Sequence, residues 1–170
     1  YVERSAADGC MLFSGVPQTM LGVGLAFQGQ IAEGLQQIKN TIAMREAEGM
    51  QIGADWNRLL LSEVYMQILS GEGGASLGVL LRNFRTLVGV MITGEKQIKE
   101  LIGKARENPQ FDTDGHYYAR GEMILGLLCK AKKRSKNAIH HLETAHRLIA
   151  PTGASPMLAR IEEALAELAA

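Results

Sequence analysis

The sequence predicts an all-α fold, and three observations carry that expectation. Apolar residues recur at helical spacing through most of the chain, as in Ile31, Leu35, Ile38 and Ile42, steps of four, three and four. Aromatic residues make up only 5% of the 170 residues while Met, Leu, Ile, Ala and Gly are plentiful, a bias that suits helices packed closely on helices. No stretch alternates apolar and polar residues as a half-buried strand would.

Composition bounds the rest. A hydrophobic content of 46% with 21% charged residues describes one soluble globular domain with a real core, taken here as residues 1–170. Lysines plus arginines equal aspartates plus glutamates at 18 each, so no global field recruits nucleic acid or an acidic membrane. Cys10 and Cys129 form no redox or metal motif and are too few for a disulfide framework, which points to a reduced, cytoplasmic setting. The chain begins at Tyr1 with neither a signal-peptide pattern nor an initiating Met, so it is expected to be an excerpt of a longer protein.

Taken in order, Tyr1 to Ala7 reads as the end of a helix that Asp8 and Gly9 break. From Cys10 to Gln28 a helix either runs through with a kink at Pro17 or starts there, and the kink is the preferred expectation. Leu21, Gly24 and Leu25 are its periodic residues, and Gly29 marks a reversal into the helix of Ile31 to about Gly49. Gly22 and Gly34, twelve apart, fall where these two helices must approach closely. Ala54 to Leu69 is the next helix, with Trp56, Leu59, Leu60, Val64 and Ile68 on one broad face. The glycine-rich SGEGGAS, residues 70–76, is a flexible connector. It opens onto residues 77–92, the most apolar stretch, before an amphipathic helix at about Glu95 to Glu107. Asp112 or Thr113 caps a helix over Asp114 to Lys130, which pairs with Ser135 to Ile149. Pro151 ends that hairpin, and Ser155 with Pro156 starts a last helix striped by Met157, Leu158, Ile161, Leu165 and Leu168.

No constellation for chemistry emerges. SGEGGASLG lacks the Lys and the Ser or Thr of a phosphate loop, and it follows a helix where a strand is required. His140, His141 and His146 do not converge, because neighbours on a helix point about 100° apart and the third histidine is five residues on. No metal and no cofactor is therefore expected. HYY at 116–118 opens a helix with polar tips outward. KAKKRSK, residues 130–136, reads as a solvated turn, with anion contact as the alternative.

The helix pair of residues 19–49 resembles a tetratricopeptide repeat. Leu21, Gly22, Gly34, Ile38 and Thr41 stand at that family's Leu-Gly pair and its small, bulky, small positions, with Gly34 and Thr41 in place of Ala and Leu25 in place of Tyr. Ser62 and Tyr65 keep the family's glycine-to-tyrosine spacing in the next first-type helix. In the last hairpin Ala138, Leu142 and Ala145 reproduce the second-helix pattern, with Gly121 as the first-helix glycine seventeen residues before Ala138. The resemblance implies helix hairpins stacked as a short tetratricopeptide-like solenoid, the last helix as its cap and residues 77–92 as an inserted helix. That helix is too short to span a bilayer. It is expected to fold back across the stack, filling part of its groove or giving a self-association face, with core packing or membrane-surface docking as alternatives.

Three longer passages, GLAFQGQIAEGLQQI, LLRNFRTLVGVMITG with ENPQFDTDGHYYARGEMILGLLCKAKK, and HHLETAHRLIAPTGASPMLARIEEALAEL, resemble the C-terminal repeat region of bacterial, chiefly alphaproteobacterial, class III adenylate or guanylate cyclases. The resemblance implies a regulatory or scaffolding role beside a catalytic domain that converts ATP to cyclic AMP. This chain carries no part of that domain, so it is expected not to be an enzyme. Projecting the repeat family's groove onto the chain selects Phe27, Trp56, Glu63, Gln67, Tyr118 and Glu122 for binding a protein, a peptide or a neighbouring domain. A small-ligand sensor using the same groove is the alternative.

Overall fold

The computed structural model describes residues 15–71, 76–109, 115–153 and 155–169. They form α1 (Val16–Phe27), α2 (Ile31–Ala47), α3 (Gln51–Ser70), α4 (Leu77–Arg82), α5 (Phe84–Arg106), α6 (His116–Ala131), α7 (Ser135–Ile149) and α8 (Pro156–Ala169), with a short 3-10 turn at Ala150–Thr152. No strand occurs among the described residues, and the fold is all-α. The helix end expected at residues 1–7, the break at Asp8 and Gly9, and the cap at Asp112 or Thr113 lie outside them. Packing follows chain order: α1 on α2, α2 on α3, α3 on α5 and α6, α6 on α7, and α7 on α8. The core runs along these contacts, with Ile38, Leu59, Tyr65, Ile98, Ile124, Leu142 and Ile161 all but removed from solvent.

Helix α1 begins at Val16 and has no kink at Pro17. Gly15 precedes it at φ 81, a left-handed conformation that a helix cannot run through, and Pro17 sits in the first turn, where its missing N–H is no loss. The turn from α1 to α2 is closed by the Gln30 N–H donating to the Leu25 carbonyl at 2.8 Å, with Gly29 at φ 82. The same device joins α2 to α3, through the Met50 N–H and Arg45 carbonyl at 2.8 Å with Gly49 at φ 72. It recurs between α6 and α7, through the Arg134 N–H and Cys129 carbonyl at 2.9 Å, but there a lysine, Lys133, takes the left-handed position at φ 57.

The small residues decide how closely the hairpins pack. A Cβ on Gly34 would collide with the Gly22 carbonyl and come within 2.7 Å of the Ala26 nitrogen, so α1 and α2 touch backbone to backbone. In the third hairpin the contact glycine is Gly126, where a Cβ would lie 2.6 Å from Leu142 Cγ. This corrects the assignment to Gly121, which faces Ile102 and Arg106 of α5. Gly126 stands twelve residues before Ala138 and follows Leu125, so the first and third hairpins share one spacing.

Residues 77–92 are not one inserted helix. Helix α4 stops at Arg82, and α5 runs without a break from Phe84 to Arg106, absorbing the helix expected to begin near Glu95. The break falls on Asn83, which is buried at φ −102, ψ 11. Its Nδ2 donates to the Gly29 carbonyl at 2.7 Å and the Val79 carbonyl at 2.9 Å, and its Oδ1 accepts from the Ile31 N–H at 3.1 Å. An asparagine amide can replace backbone partners in this way and divert a helix. It pins α4 and the start of α5 onto the α1–α2 turn. At the other end, Ser155 Oγ caps α8 by accepting from the Leu158 N–H at 3.1 Å, and Ile161 anchors the predicted stripe.

Candidate functional site

A sizeable concavity follows from the Asn83 clamp. With α4 held over the α1–α2 turn, a cleft of about 610 Å³ opens between the end of α1, the last turns of α3, α4 and α5. Phe27, Ile31, Val64, Ile68, Val79 and Leu87 give it apolar walls, and Gln67 supplies a polar group. Its size falls in the range of small-molecule sites, which join apolar walls to a few polar groups. Phe27 is 72% exposed at its rim, which argues against a core role for that ring.

Of the six residues selected for a groove, this cleft brings together only Phe27 and Gln67. Trp56 is half-buried against the core on α3. Glu63, on the same side of α3, accepts two hydrogen bonds from Arg120 of α6, Nε to Oε1 at 2.9 Å and Nη2 to Oε2 at 2.5 Å, a bidentate pair that joins those helices. Tyr118 and Glu122 lie elsewhere. The Arg106 guanidinium of α5 sits 4.3 Å from the centre of the Tyr118 ring. Glu122 is 5% exposed and sits between Arg106 Nη2 at 2.5 Å and His141 Nδ1 of α7 at 2.7 Å. A carboxylate so committed bridges three helices and is closed to a partner.

The register explains the two residues on α6. Reading Gly121 as the contact glycine in place of Gly126 shifts the positions projected there, Tyr118 and Glu122, by five residues, about 140° around the helix. The correct register turns Arg120 toward α3, where it meets Glu63, and turns Tyr118 and Glu122 toward α5 and α7. The signal was present as Leu125-Gly126 with Ala138 twelve residues on. Asn83 was also missed, and a short polar side chain between two apolar runs was its only mark.

A second polar centre lies under α2, α3 and the end of α5. Asp55 is fully buried and accepts from Gln51 at 3.2 Å and Asn108 at 2.8 Å; it also pairs with Arg58, which reaches on to Glu46. These contacts are internal and satisfy one another. The basic turn is partly internal too: Lys130 pairs with Glu167 of α8, and Arg134 bonds Glu95 of α5 at 2.6 Å. Among the described residues no group of three His, Cys, Asp or Glu side chains could hold a metal ion, and no helix is long and apolar enough to cross a membrane. His141 and His146 engage different carboxylates, Glu122 and Glu162. Burial pushes the Cys129 thiol up from its ordinary value, away from the reactive thiolate.

No protein-family model, no curated protein and no solved structure matches this chain.

Proposed function

We propose that this chain is a regulatory helical-repeat module, a short tetratricopeptide-like solenoid that docks a protein, a peptide or a neighbouring domain and so controls a linked class III adenylate or guanylate cyclase. One observation supports the repeat reading above the rest. The first and third hairpins share a twelve-residue spacing between their small contact residues, Gly22 to Gly34 and Gly126 to Ala138, and close their turns with the same hydrogen bond. The stacking order, with each hairpin packed on the next and α8 on the last, is what a capped repeat array requires. The link to a cyclase rests on the sequence resemblance alone. In this reading the module works in the cytoplasm and performs no catalysis.

The test has two arms. The purified 170-residue chain, given ATP with magnesium or manganese, is expected to make no cyclic nucleotide. The polypeptide that contains it is expected to have cyclase activity that changes at least about fivefold, roughly 1 kcal/mol of coupling, when this module is removed. A polypeptide without cyclase activity overturns the link, and an unchanged rate overturns the regulatory role.

The cleft beside Asn83 favours a second reading, a sensor of a small apolar molecule with one polar group placed at Gln67. Anilinonaphthalene sulfonate should bind there and be displaced in Ile68→Trp, which fills the cleft. Equal binding to the folded variant rules the cleft out.

A further inference from the structure

We propose that the outer face of α4 and the first turns of α5 pairs, antiparallel, with the same face of a second copy of this chain. The beginning of α5 is apolar on two sides. Leu87 and Val90 turn inward to the core, while Phe84, Val88, Met91 and Ile92 are exposed, Ile92 at 76%. Leu77 and Leu81 extend the exposed set onto α4. Taking about 200 Å² for a fully exposed Phe and somewhat less for the aliphatic residues, these six present roughly 700 Å². That exceeds the largest patch of an ordinary monomer, about 300–600 Å², and approaches the roughly 800 Å² that each partner contributes to a stable interface.

The spacing fits a helix as the occupant. Phe84, Val88 and Met91 follow each other at four and three residues, the seam of two helices lying side by side. A second copy brings the identical seam, and a two-fold axis closes the pair so that no apolar face is left over. With the axis near Val88, Phe84 of one copy meets Ile92 of the other. Charge selects the antiparallel order. Arg82 and Arg85 are exposed beside the seam at one end. A parallel pair would place the arginines against their own copies, whereas an antiparallel pair carries them to opposite ends of the seam.

Sedimentation equilibrium of the 170-residue chain from about 1 to 100 µM tests this, with a dimer expected in that range. Phe84→Glu with Ile92→Glu should weaken association at least about 100-fold. Because both side chains are exposed, the circular dichroism and melting of the isolated chain should stay intact. A chain that stays monomeric at 100 µM, or a dimer indifferent to the folded double variant, overturns the proposal. So does a monomeric chain that instead co-sediments with phosphatidylglycerol vesicles and loses that binding in the double variant.

Discussion

Helices α1 and α2 meet through two glycines, Gly22 and Gly34, whereas α6 and α7 meet through one glycine and one alanine, Gly126 and Ala138. The consequence lies in which atoms touch. In the first hairpin the neighbour of each missing Cβ includes backbone, which cannot move without shifting a helix. In the third the atoms nearest a Cβ on Gly126 are Cγ and Cδ2 of Leu142, with that residue's backbone nitrogen farther off at 3.2 Å. The turns differ in the same sense, with Gly29 left-handed in one and Lys133 in the other. One spacing is thus met against backbone in the first hairpin and chiefly against a side chain in the third.

The largest effect expected from this difference is Gly34→Ala, which should cost about 3 kcal/mol in urea denaturation because overpacking falls on the Gly22 carbonyl and the Ala26 nitrogen. Gly126→Ala should cost less, about 1–2 kcal/mol, since its closest contacts are side-chain atoms and the nearest backbone atom is 3.2 Å away. If the second substitution costs as much as the first, the distinction between backbone and side-chain contact is wrong.

That distinction also separates what was legible in the sequence from what was not. Periodicity placed α2 and α7 closely, because each has one apolar stripe and a clear stop at Gly49 or Pro151, and it placed the start of α8 at Ser155 and Pro156. It misjudged residues 77–92 because α5 is apolar on two sides, and two stripes leave no single face to read. The break at Asn83 depends on hydrogen bonds to Gly29 and Ile31, more than fifty residues away, which no local pattern contains. Tyr118 and Glu122 failed for a different reason. α6 carries two glycines five apart, Gly121 and Gly126, both buried and both packed on another helix, so composition alone could not say which one faced α7.

Sharpening the comparison of turns, Lys133→Gly should stabilise the protein by up to about 1 kcal/mol, because a left-handed lysine carries a Cβ penalty that glycine lacks. A rise in Tm of about 2–4 °C is expected. Replacing Gly29 by lysine should do the opposite and cost more, since a Cβ there would press within 2.8 Å of Val79 on α4. Equal and opposite effects at the two turns would mean that backbone conformation alone, and not the cover of α4, separates them.

The smallest expected effect concerns the ion pair that ties α5 to the α6–α7 hairpin. Glu95 accepts from Lys99 at 2.8 Å and from Arg134 at 2.6 Å, and these bonds hold its carboxyl down at about 2, from an ordinary 4.5. A carboxylate with a lowered folded-state value stabilises the fold fully above the unfolded value and loses that contribution as pH falls toward the folded one. Glu95→Gln should therefore be less stable than the parent chain at pH 7, by no more than about 1 kcal/mol because the pair is partly solvated. The gap should hold down to about pH 5, narrow below 4.5 and close near 2. Arg134→Ala should show the same window, and added salt should shrink the gap at pH 7 in both variants. Melting curves from pH 7 to 2 decide it. A gap that survives at pH 2 would assign the effect to packing of the Glu95 side chain, and the tie between α5 and the α6–α7 turn would then carry no charge-dependent stability.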